Sequence, residues 1–326
     1  MKRFAAAVGM LALVLGPRTA LAQDGKEDRR PPAQIQDSIR IAAHARSLVE
    51  GAASDSARAA RLYEWTARNL RYDARGYLTG RVASMKPEAV WNSRAAVCEG
   101  FVQLYQRMAE EVGLRTEIVN GYAKGFDYRP GQSVGDPNHA WIAAEIDGRW
   151  RLLDPTWGAG LVVNGEFRPE FSWAYLFTAP EVLQLSHHPE DRKWQLAERP
   201  LSRREFERMP AVPRLLVDAG FSPAELRAAG LRRNAAYPLV GSIQGGVRVV
   251  RAPADGVLPE DAPVSFEIVW PNAQEVAVVS GGAWTQLERQ GNTFSGGTVA
   301  VGDVVQLVGK RGGSDEYQTL LHYRVN

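Results

Sequence analysis

Three residues of the chain could together carry out acyl transfer: a thiol at Cys98, an imidazole at His139 and a carboxylate at Asp154. A thiolate is a strong nucleophile, an imidazole beside it can take and return its proton, and a carboxylate can hold that imidazole in one orientation. Cys98 is the only cysteine in the 326 residues, so it cannot form an intramolecular disulfide. It is therefore either a small buried hydrophobe or a residue retained for its thiol chemistry.

The spacing of the other two residues brings them together without any long-range assumption. Asp147-Gly148 is a two-residue hairpin signal between two strand-like segments. In such a hairpin Trp141 faces Asp154, and His139 projects from the same face as Asp154, one diagonal step away. Diagonal neighbours lie about 7 to 8 Å apart at the backbone, a gap that an imidazole and a carboxylate can bridge with a hydrogen bond.

Cys98 is predicted to open a helix, CEGFVQLYQRMAEEVG, which Gly113 ends. The unpaired N–H groups and the positive end of the dipole at a helix start favour thiolate over thiol. Taken singly, the cysteine could be inert, the histidine structural, and the aspartate before Pro155 a turn former. Their combination in one order, with the last two on one hairpin face, favours the catalytic interpretation.

In this part of the chain helices come first and an antiparallel sheet, which includes the hairpin, follows them, which predicts an α+β fold. Apolar residues recur at helical spacing from Ile35, and a second helix follows a cap at Ser54 or Asp55. Pro87 suits the first turn of a short helix. The period then changes to two from Thr116 onward, which is typical of strands.

The first 22 residues are predicted to be a secretory signal peptide. Two basic residues precede the apolar run 4–15, and the small-residue sequence 20–22 ends at Ala22, where cleavage is expected. The alternative, a membrane anchor, needs about 20 continuous apolar residues, and the run stops after twelve. We therefore expect a secreted or periplasmic protein, with no later membrane span.

The remaining chain divides by composition into four parts. Residues 23–34 are a polar, flexible leader, and 35–194 carry the candidate chemistry and most of the tryptophans. Residues 195–240 are short helices with proline-rich joins, predicted to form a connector packed on the first domain. Residues 241–326 are rich in glycine and valine with short strand-like runs, which predicts a small Ig-like β-sandwich. Since no candidate catalytic residue lies beyond 240, we expect the core to stand without that domain.

Composition and charge exclude several classes of protein. Hydrophobic residues make up 45% and charged residues 23%, which excludes a disordered, collagen-like or multi-span membrane protein. Beyond the predicted signal peptide, 36 basic residues stand against 37 acidic ones. This balance argues against nucleic acid as a partner.

Two segments resemble a known superfamily. AVCEGFVQLYQRMAEEVGLRTEIVNGYAKG and NHAWIAAEIDGRWRLLDPTWG resemble the core of the transglutaminase-like superfamily, whose members use a papain-type Cys-His-Asp triad at amides. Cys98, His139 and Asp154 fall on the three triad positions. EWTARNLRYD resembles an upstream motif of the superfamily. YLFTAPEVLQLSHHPEDRKWQLAERPLSRREF is similar to the kyphoscoliosis-peptidase-like branch, which often carries a C-terminal β-domain. The resemblance implies a papain-like core of helices and antiparallel sheet in a secreted bacterial protein.

The same resemblance implies an oxyanion hole. Tyr72, in LRYDARGY, takes the place of a tryptophan that donates a hydrogen bond in classical transglutaminases, and the backbone N–H of Cys98 would be the second donor. The alternative is that Tyr72 only packs at a helix end.

No metal or cofactor is expected. His187-His188 with Asp191 could suggest a metal site, but adjacent histidines on one loop rarely converge, and no C-x-x-C, H-E-x-x-H or EF-hand motif is present. We expect a cysteine peptidase or amide hydrolase acting on proteins or peptides. The alternatives are a cross-linking transglutaminase, and a non-catalytic module that binds proteins through the cleft and the β-domain.

Overall fold

The computed structural model describes residues 31–129, 135–241 and 246–326, so the predicted signal peptide lies outside the described residues. The helices of the described residues are α1 Pro32–Leu48, α2 Asp55–Asn69, α3 Ala74–Thr79, α4 Pro87–Ser93, α5 Cys98–Glu111, α6 Pro155–Ala159, α7 Pro180–Leu183, α8 Arg203–Arg208, α9 Arg214–Asp218 and α10 Pro223–Gly230. The strands are β1 Arg71–Tyr72, β2 Ala95–Ala96, β3 Thr116–Ala123, β4 His139–Ile146, β5 Arg149–Leu153, β6 Gly160–Val163, β7 Glu166–Pro169, β8 His187–Pro189, β9 Leu239–Val240, β10 Arg248–Arg251, β11 Val257–Leu258, β12 Pro263–Val269, β13 Ala273–Ser280, β14 Ala283–Gln286, β15 Glu288–Gln290, β16 Thr293–Val299, β17 Val304–Arg311 and β18 Tyr317–Val325.

The predicted N-terminal helices form, with small shifts at their ends. α1 begins at Pro32, before the first residue of the apolar repeat, because proline is favoured in a first helical turn. The Ser54 hydroxyl caps α2 by accepting a hydrogen bond from the N–H of Ala57. Both helices pack on α5, whose buried face includes Phe101 and Tyr105.

The first domain contains an antiparallel sheet with strand order β5-β4-β3-β8. The predicted hairpin joins β4 to β5, and Asp147 and Gly148 both have positive φ, at 50° and 73°, as a tight two-residue turn requires. Its register is the predicted one, since Ile142 pairs with Leu153. Helix α5 packs on β3 and β4, so the start of the helix lies near the start of the hairpin.

The C-terminal strands form two sheets, confirming the predicted sandwich. One has the order β10-β12-β16-β15, and the other has the order β11-β18-β17-β13-β14 with β9 paired to β18. Their inner faces share one apolar cluster that includes Phe266, Trp270 and Tyr323.

The connector helices contact the first domain, for example through Arg203 and Tyr122, and also pack on the C-terminal strands. Buried residues of α8, α9 and α10, such as Phe206, Leu216 and Leu226, belong to the same apolar cluster as the C-terminal strands. Tyr122 and Leu185 extend this cluster into the first domain. The connector therefore lies between the two domains and shares its core mainly with the second. This shared core argues against the expectation that residues up to 240 stand alone.

Within the described ranges, no helix is long and apolar enough to cross a membrane.

Candidate active site

Cys98 is the first residue of α5, as predicted, and only 8% of its surface is exposed. The preceding residue, Val97, is extended, and the chain turns into the helix at the thiol. A close approach fixes this turn, because a Cβ on Gly100 would lie 2.5 Å from the Cβ of Ala96 and 2.9 Å from a methyl of Val90. The packing of α5 on these neighbours holds the thiol in place.

The paired part of the hairpin ends at Leu153, one residue before the predicted pair of Trp141 and Asp154. The ladder stops at Leu153, and the next residue, Asp154, caps α6 instead of continuing the strand. Its Oδ1 accepts hydrogen bonds from the N–H groups of Thr156, at 2.8 Å, and Trp157, at 3.1 Å. The carboxylate is thereby fixed by backbone groups at the end of the sheet.

The predicted contact between His139 and Asp154 is present. Nε2 of His139 lies 2.7 Å from Oδ2 of Asp154. Cys98 is close enough to His139 to influence its pKa. Because Nε2 is bound to Asp154, Nδ1 is the ring nitrogen left for the thiol. The structure thus brings the three predicted catalytic residues together around one imidazole.

The charges of this group are coupled. Burial lowers the pKa of His139, but the negative charge and hydrogen bond of Asp154 and the interaction with Cys98 outweigh it and raise the pKa to about 10. Burial alone would raise the pKa of Asp154, but His139 and His187 hold it well below its usual range. At neutral pH this arrangement favours an imidazolium beside an ionised carboxylate.

His139 lines a cleft of about 360 Å³. The cleft has an aromatic wall with a few polar groups, among them Lys124, Asp127 and Asn138. The aromatic side chains of the wall are Tyr72, Tyr77, Phe126, Trp157, Phe167 and Tyr175. Such a mixture suits an extended ligand with apolar side chains and a polar backbone.

Tyr72, the predicted oxyanion donor, lies in this cleft and not merely at a helix end. It belongs to β1 and pairs with Ala96, two residues before Cys98. Burial, and next the nearby Cys98, raise the pKa of the phenol, which keeps its proton available for donation. Neither the Tyr72 hydroxyl nor the Cys98 N–H donates a hydrogen bond to another residue in the ranges that the structure describes.

Sequence reasoning missed one member of the site. His187, for which the sequence predicts no role in the site, lies on β8 with its Nε2 3.1 Å from Oδ2 of Asp154. Its neighbour His188 faces away and contacts the carbonyl of Leu201. Asp191 is exposed and caps a short 3₁₀ turn, so it does not join them. The three residues considered for a metal therefore do not converge on one another.

A different group could offer metal ligands, since His139, Asp154 and His187 present ligand atoms within 4.8 Å of one another. Two ligands on a tetrahedral zinc ion, each about 2.0 to 2.1 Å from the metal, would lie about 3.3 Å apart. The 2.7 Å separation of His139 Nε2 and Asp154 Oδ2 is shorter and is that of a hydrogen bond. We therefore describe this cluster as a hydrogen-bond network.

Residues 42–155, which include all three catalytic candidates, match the model of the family described as the transglutaminase-like superfamily. The chain thus contains a transglutaminase-like domain, and its fold of helices and antiparallel sheet is transglutaminase-like.

The curated relatives cover more of the chain. It is 28% identical over 279 residues to kyphoscoliosis peptidase of Mus musculus and of Homo sapiens, an alignment that covers 85% of this chain and 39% of each relative. It is 31% identical over 181 residues to the Lim and transglutaminase domain protein ltd-1 of Caenorhabditis elegans, over 51% of this chain and 25% of that protein. The chain thus spans about two fifths of the length of its mammalian relatives. A solved structure described as a TGase is 17% identical, with a TM-score of 0.30 over 46% of this chain and 38% of that one.

Proposed function

We propose that the protein is a cysteine hydrolase that cleaves amide bonds in proteins or peptides, with Cys98, His139 and Asp154 as its catalytic residues. The observation that carries the proposal is the 2.7 Å hydrogen bond between His139 and Asp154 at the wall of a cleft, with Cys98 close enough to His139 to influence its pKa. The name of the mammalian relatives, which includes the word peptidase, supports it.

The geometry supports a two-step reaction. The Cys98 sulfur, whose proton has passed to Nδ1 of His139, attacks the amide carbonyl carbon, and the oxyanion accepts hydrogen bonds from the Cys98 N–H and the Tyr72 hydroxyl. Nδ1 of His139 gives its proton to the leaving nitrogen, the C–N bond breaks, and a thioester remains on Cys98. Water then attacks the thioester while His139 takes a proton from it, the C–S bond breaks, and the acid leaves with the Cys98 sulfur regenerated.

An amine in place of water would make the protein a cross-linking transglutaminase. Water is present at about 55 M, so amine transfer needs a site that binds the amine. The cleft contains the carboxylate of Asp127, but the hydroxyl of Tyr77 already donates to it at 2.8 Å, and the side chain of Lys124, a hydrogen-bond donor, lies in the same cleft. These neighbours do not favour a lysine ammonium, and we propose hydrolysis as the main reaction.

The proposed place of action is outside the cytoplasm. The basic, apolar and small-residue segments of residues 1–22 support this.

The first test measures alkylation by iodoacetamide, since the chain has one thiol. The same thiol in the urea-unfolded chain is the internal reference. We expect the native protein to react faster than the unfolded chain at pH 6 to 7, and Asp154→Asn to lose this advantage, while Asp191→Asn, an exposed control, keeps it. A native rate equal to or below the unfolded rate would support the non-catalytic alternative.

The second test identifies the acceptor. A mixture of peptides is incubated with the protein and a millimolar primary amine, and the products are analysed by mass spectrometry. Free acids that are absent with Cys98→Ala support the hydrolase. A dominant amine adduct, or covalently linked proteins, would establish the transferase instead.

A further inference from the structure

The carboxylate of Asp154 lies between two buried imidazoles, of which the proposed mechanism uses only one. Its Oδ2 is 2.7 Å from Nε2 of His139 and 3.1 Å from Nε2 of His187. Asp154 and His187 expose 2% of their surface or less. Because burying a carboxylate without hydrogen-bond donors costs free energy, the second imidazole can stabilise the charge of Asp154 as a further donor.

The contact with Asp154 determines which nitrogen of the neutral His187 ring carries the proton, because an ionised carboxylate only accepts hydrogen bonds. The Nδ1 of His187 is 2.8 Å from the hydroxyl oxygen of Ser186, which can donate to this nitrogen or to the carbonyl of Leu183, 3.3 Å away. The His187 ring lies against Trp157, with 4.4 Å between the centroids, and against Trp141, at 5.1 Å. Burial lowers the pKa of His187 and favours the neutral ring. The neutral ring with its proton on Nε2 satisfies both contacts at once, donating to Asp154 and accepting from Ser186.

The two oxygens of Asp154 are then held separately. Backbone N–H groups of Thr156 and Trp157 fix Oδ1, and His187 fixes Oδ2. With both oxygens held, the lone pair left for His139 points in one direction, which orients its ring toward the thiol. Without His187 the carboxylate keeps its backbone caps but loses a donor at the oxygen that bonds His139.

We propose that His187 is a positioning residue that holds Asp154 in place for His139, a role that rests on the proposed function. It acts through Asp154 and does not touch the reacting atoms. The sequence of contacts is Ser186 to His187, His187 to Asp154, and Asp154 to His139.

The test substitutes His187→Phe, which keeps an aromatic ring against the two tryptophans and removes both nitrogens. The matched control is His188→Phe, because His188 is the adjacent buried histidine and contacts Leu201 and Gln195 in place of Asp154. We expect His187→Phe to lower the rate of iodoacetamide alkylation about 10- to 100-fold. This is the range found when a hydrogen-bond partner that orients a metal-binding side chain is removed, and we take it as a guide here. We expect His188→Phe to keep the native rate. An equal loss in both variants would show a general packing effect and overturn the proposal.

A pH profile and a double-mutant cycle separate positioning from folding. Loss of a donor raises the pKa of Asp154, so the stability that this ionised carboxylate provides should be lost at a higher pH in His187→Phe, as urea titrations measure. In the Asp154→Asn background, His187→Phe should have little further effect on the alkylation rate, because it acts through that carboxylate. An unshifted acid loss of stability, or effects of the two changes that multiply, would overturn the positioning role.

A more conservative pair of variants serves if His187→Phe does not fold. His187→Gln can keep one N–H near Asp154 and should retain more of the rate than His187→Leu, at a similar thermal midpoint. Equal rates for these two would contradict the proposal. The outcome is distinct from failure of the proposed function, which would appear as a native rate no faster than that of the unfolded chain in the parent protein.

Discussion

At the scale of single residues, the hydroxyl of Tyr72 should matter for one of two reactions of Cys98, the turnover of peptides, and not for the other, alkylation. It would stabilise an oxyanion during attack on a carbonyl, but alkylation of the thiol by iodoacetamide forms no oxyanion. Its position two residues from Cys98 along the β1–β2 ladder, and its lack of another acceptor in the described parts of the chain, favour the first role.

We predict that Tyr72→Phe lowers the turnover of peptide substrates about 10²- to 10³-fold, the cost of removing one oxyanion donor. It should leave the rate of alkylation near that of the parent protein. Tyr77→Phe is the control, since the Tyr77 hydroxyl is bound to Asp127. If alkylation and turnover fell together in Tyr72→Phe, the phenol would be needed to build the site and not to stabilise the oxyanion.

The raised pKa of His139 also predicts how the site contributes to stability as pH changes. Its folded pKa of about 10 exceeds the unfolded value of about 6.5, so its stabilising effect is complete below about 6.5 and is lost as pH rises through about 10. The lowered pKa of Asp154 gives stability that is present above about 3.9 and lost as pH falls. The pair therefore stabilises most between about pH 4 and 6.5.

We predict that His139→Gln reduces the free energy of unfolding most in that window, with a difference from the parent that shrinks toward pH 10. Urea titrations at several pH values measure it. A difference that is constant from pH 5 to 10 would show that His139 is not protonated in the folded protein.

At the scale of secondary-structure elements, Lys124 joins the wall of the cleft to the connector. It directly follows β3, and its Nζ donates to the carbonyls of Phe206, at 2.6 Å, and Met209, at 2.5 Å, at the end of α8. The side chain is buried, with 5% exposed for the whole residue, and both of these partners are neutral backbone carbonyls. Burial lowers its pKa to about 7.

We predict that Lys124→Met removes a rise in stability between pH 7 and about 10. Over this range the unfolded chain holds a proton on the lysine that the folded protein has released, so stability increases with pH. His139 acts in the opposite direction over the same range. Urea titrations of the parent and Lys124→Met should therefore differ in slope by about one proton. Parallel curves would mean that the buried amine keeps its proton in the folded state.

The strands that carry the site explain which of its parts could be predicted from the sequence. The hairpin register follows from the turn residues and local spacing, and it correctly placed His139 beside Asp154. His187 could not be found in this way, because β8 joins β3 only through the long-range pairs of the sheet. A short strand of three residues carries almost no periodic signal, and its partner lies more than sixty residues away in the chain.

At the scale of the whole molecule, the apolar core of the connector decides how far the chain can be shortened. Buried residues of α8 to α10 share one cluster with the C-terminal strands, and only Tyr122 and Leu185 continue it into the first domain. The domain borders proposed from composition separate the connector from the strands, but the cluster joins them. Compositional borders miss this because short helices with proline joins give no sign of the surface on which they pack.

We predict that a chain ending at residue 240 aggregates, since side chains such as Phe206, Leu216 and Leu226 would face water. A chain of residues 195–326 should instead unfold in one cooperative transition. Circular dichroism and light scattering distinguish the two. A monomeric 31–240 fragment that alkylates at the native rate would show that the first domain is independent.

Strand β18 determines when this half of the molecule can form, because three other strands of its sheet pair with it. It pairs with β17, β9 and β11, and Leu239 of β9 meets His322 across more than eighty residues of chain. During synthesis, the connector helices therefore leave the ribosome long before β18, the strand that completes the sheet on which these helices pack. For that interval their apolar faces are available to chaperones or to other nascent chains, while the helices and hairpin of the first domain can already assemble from residues made earlier.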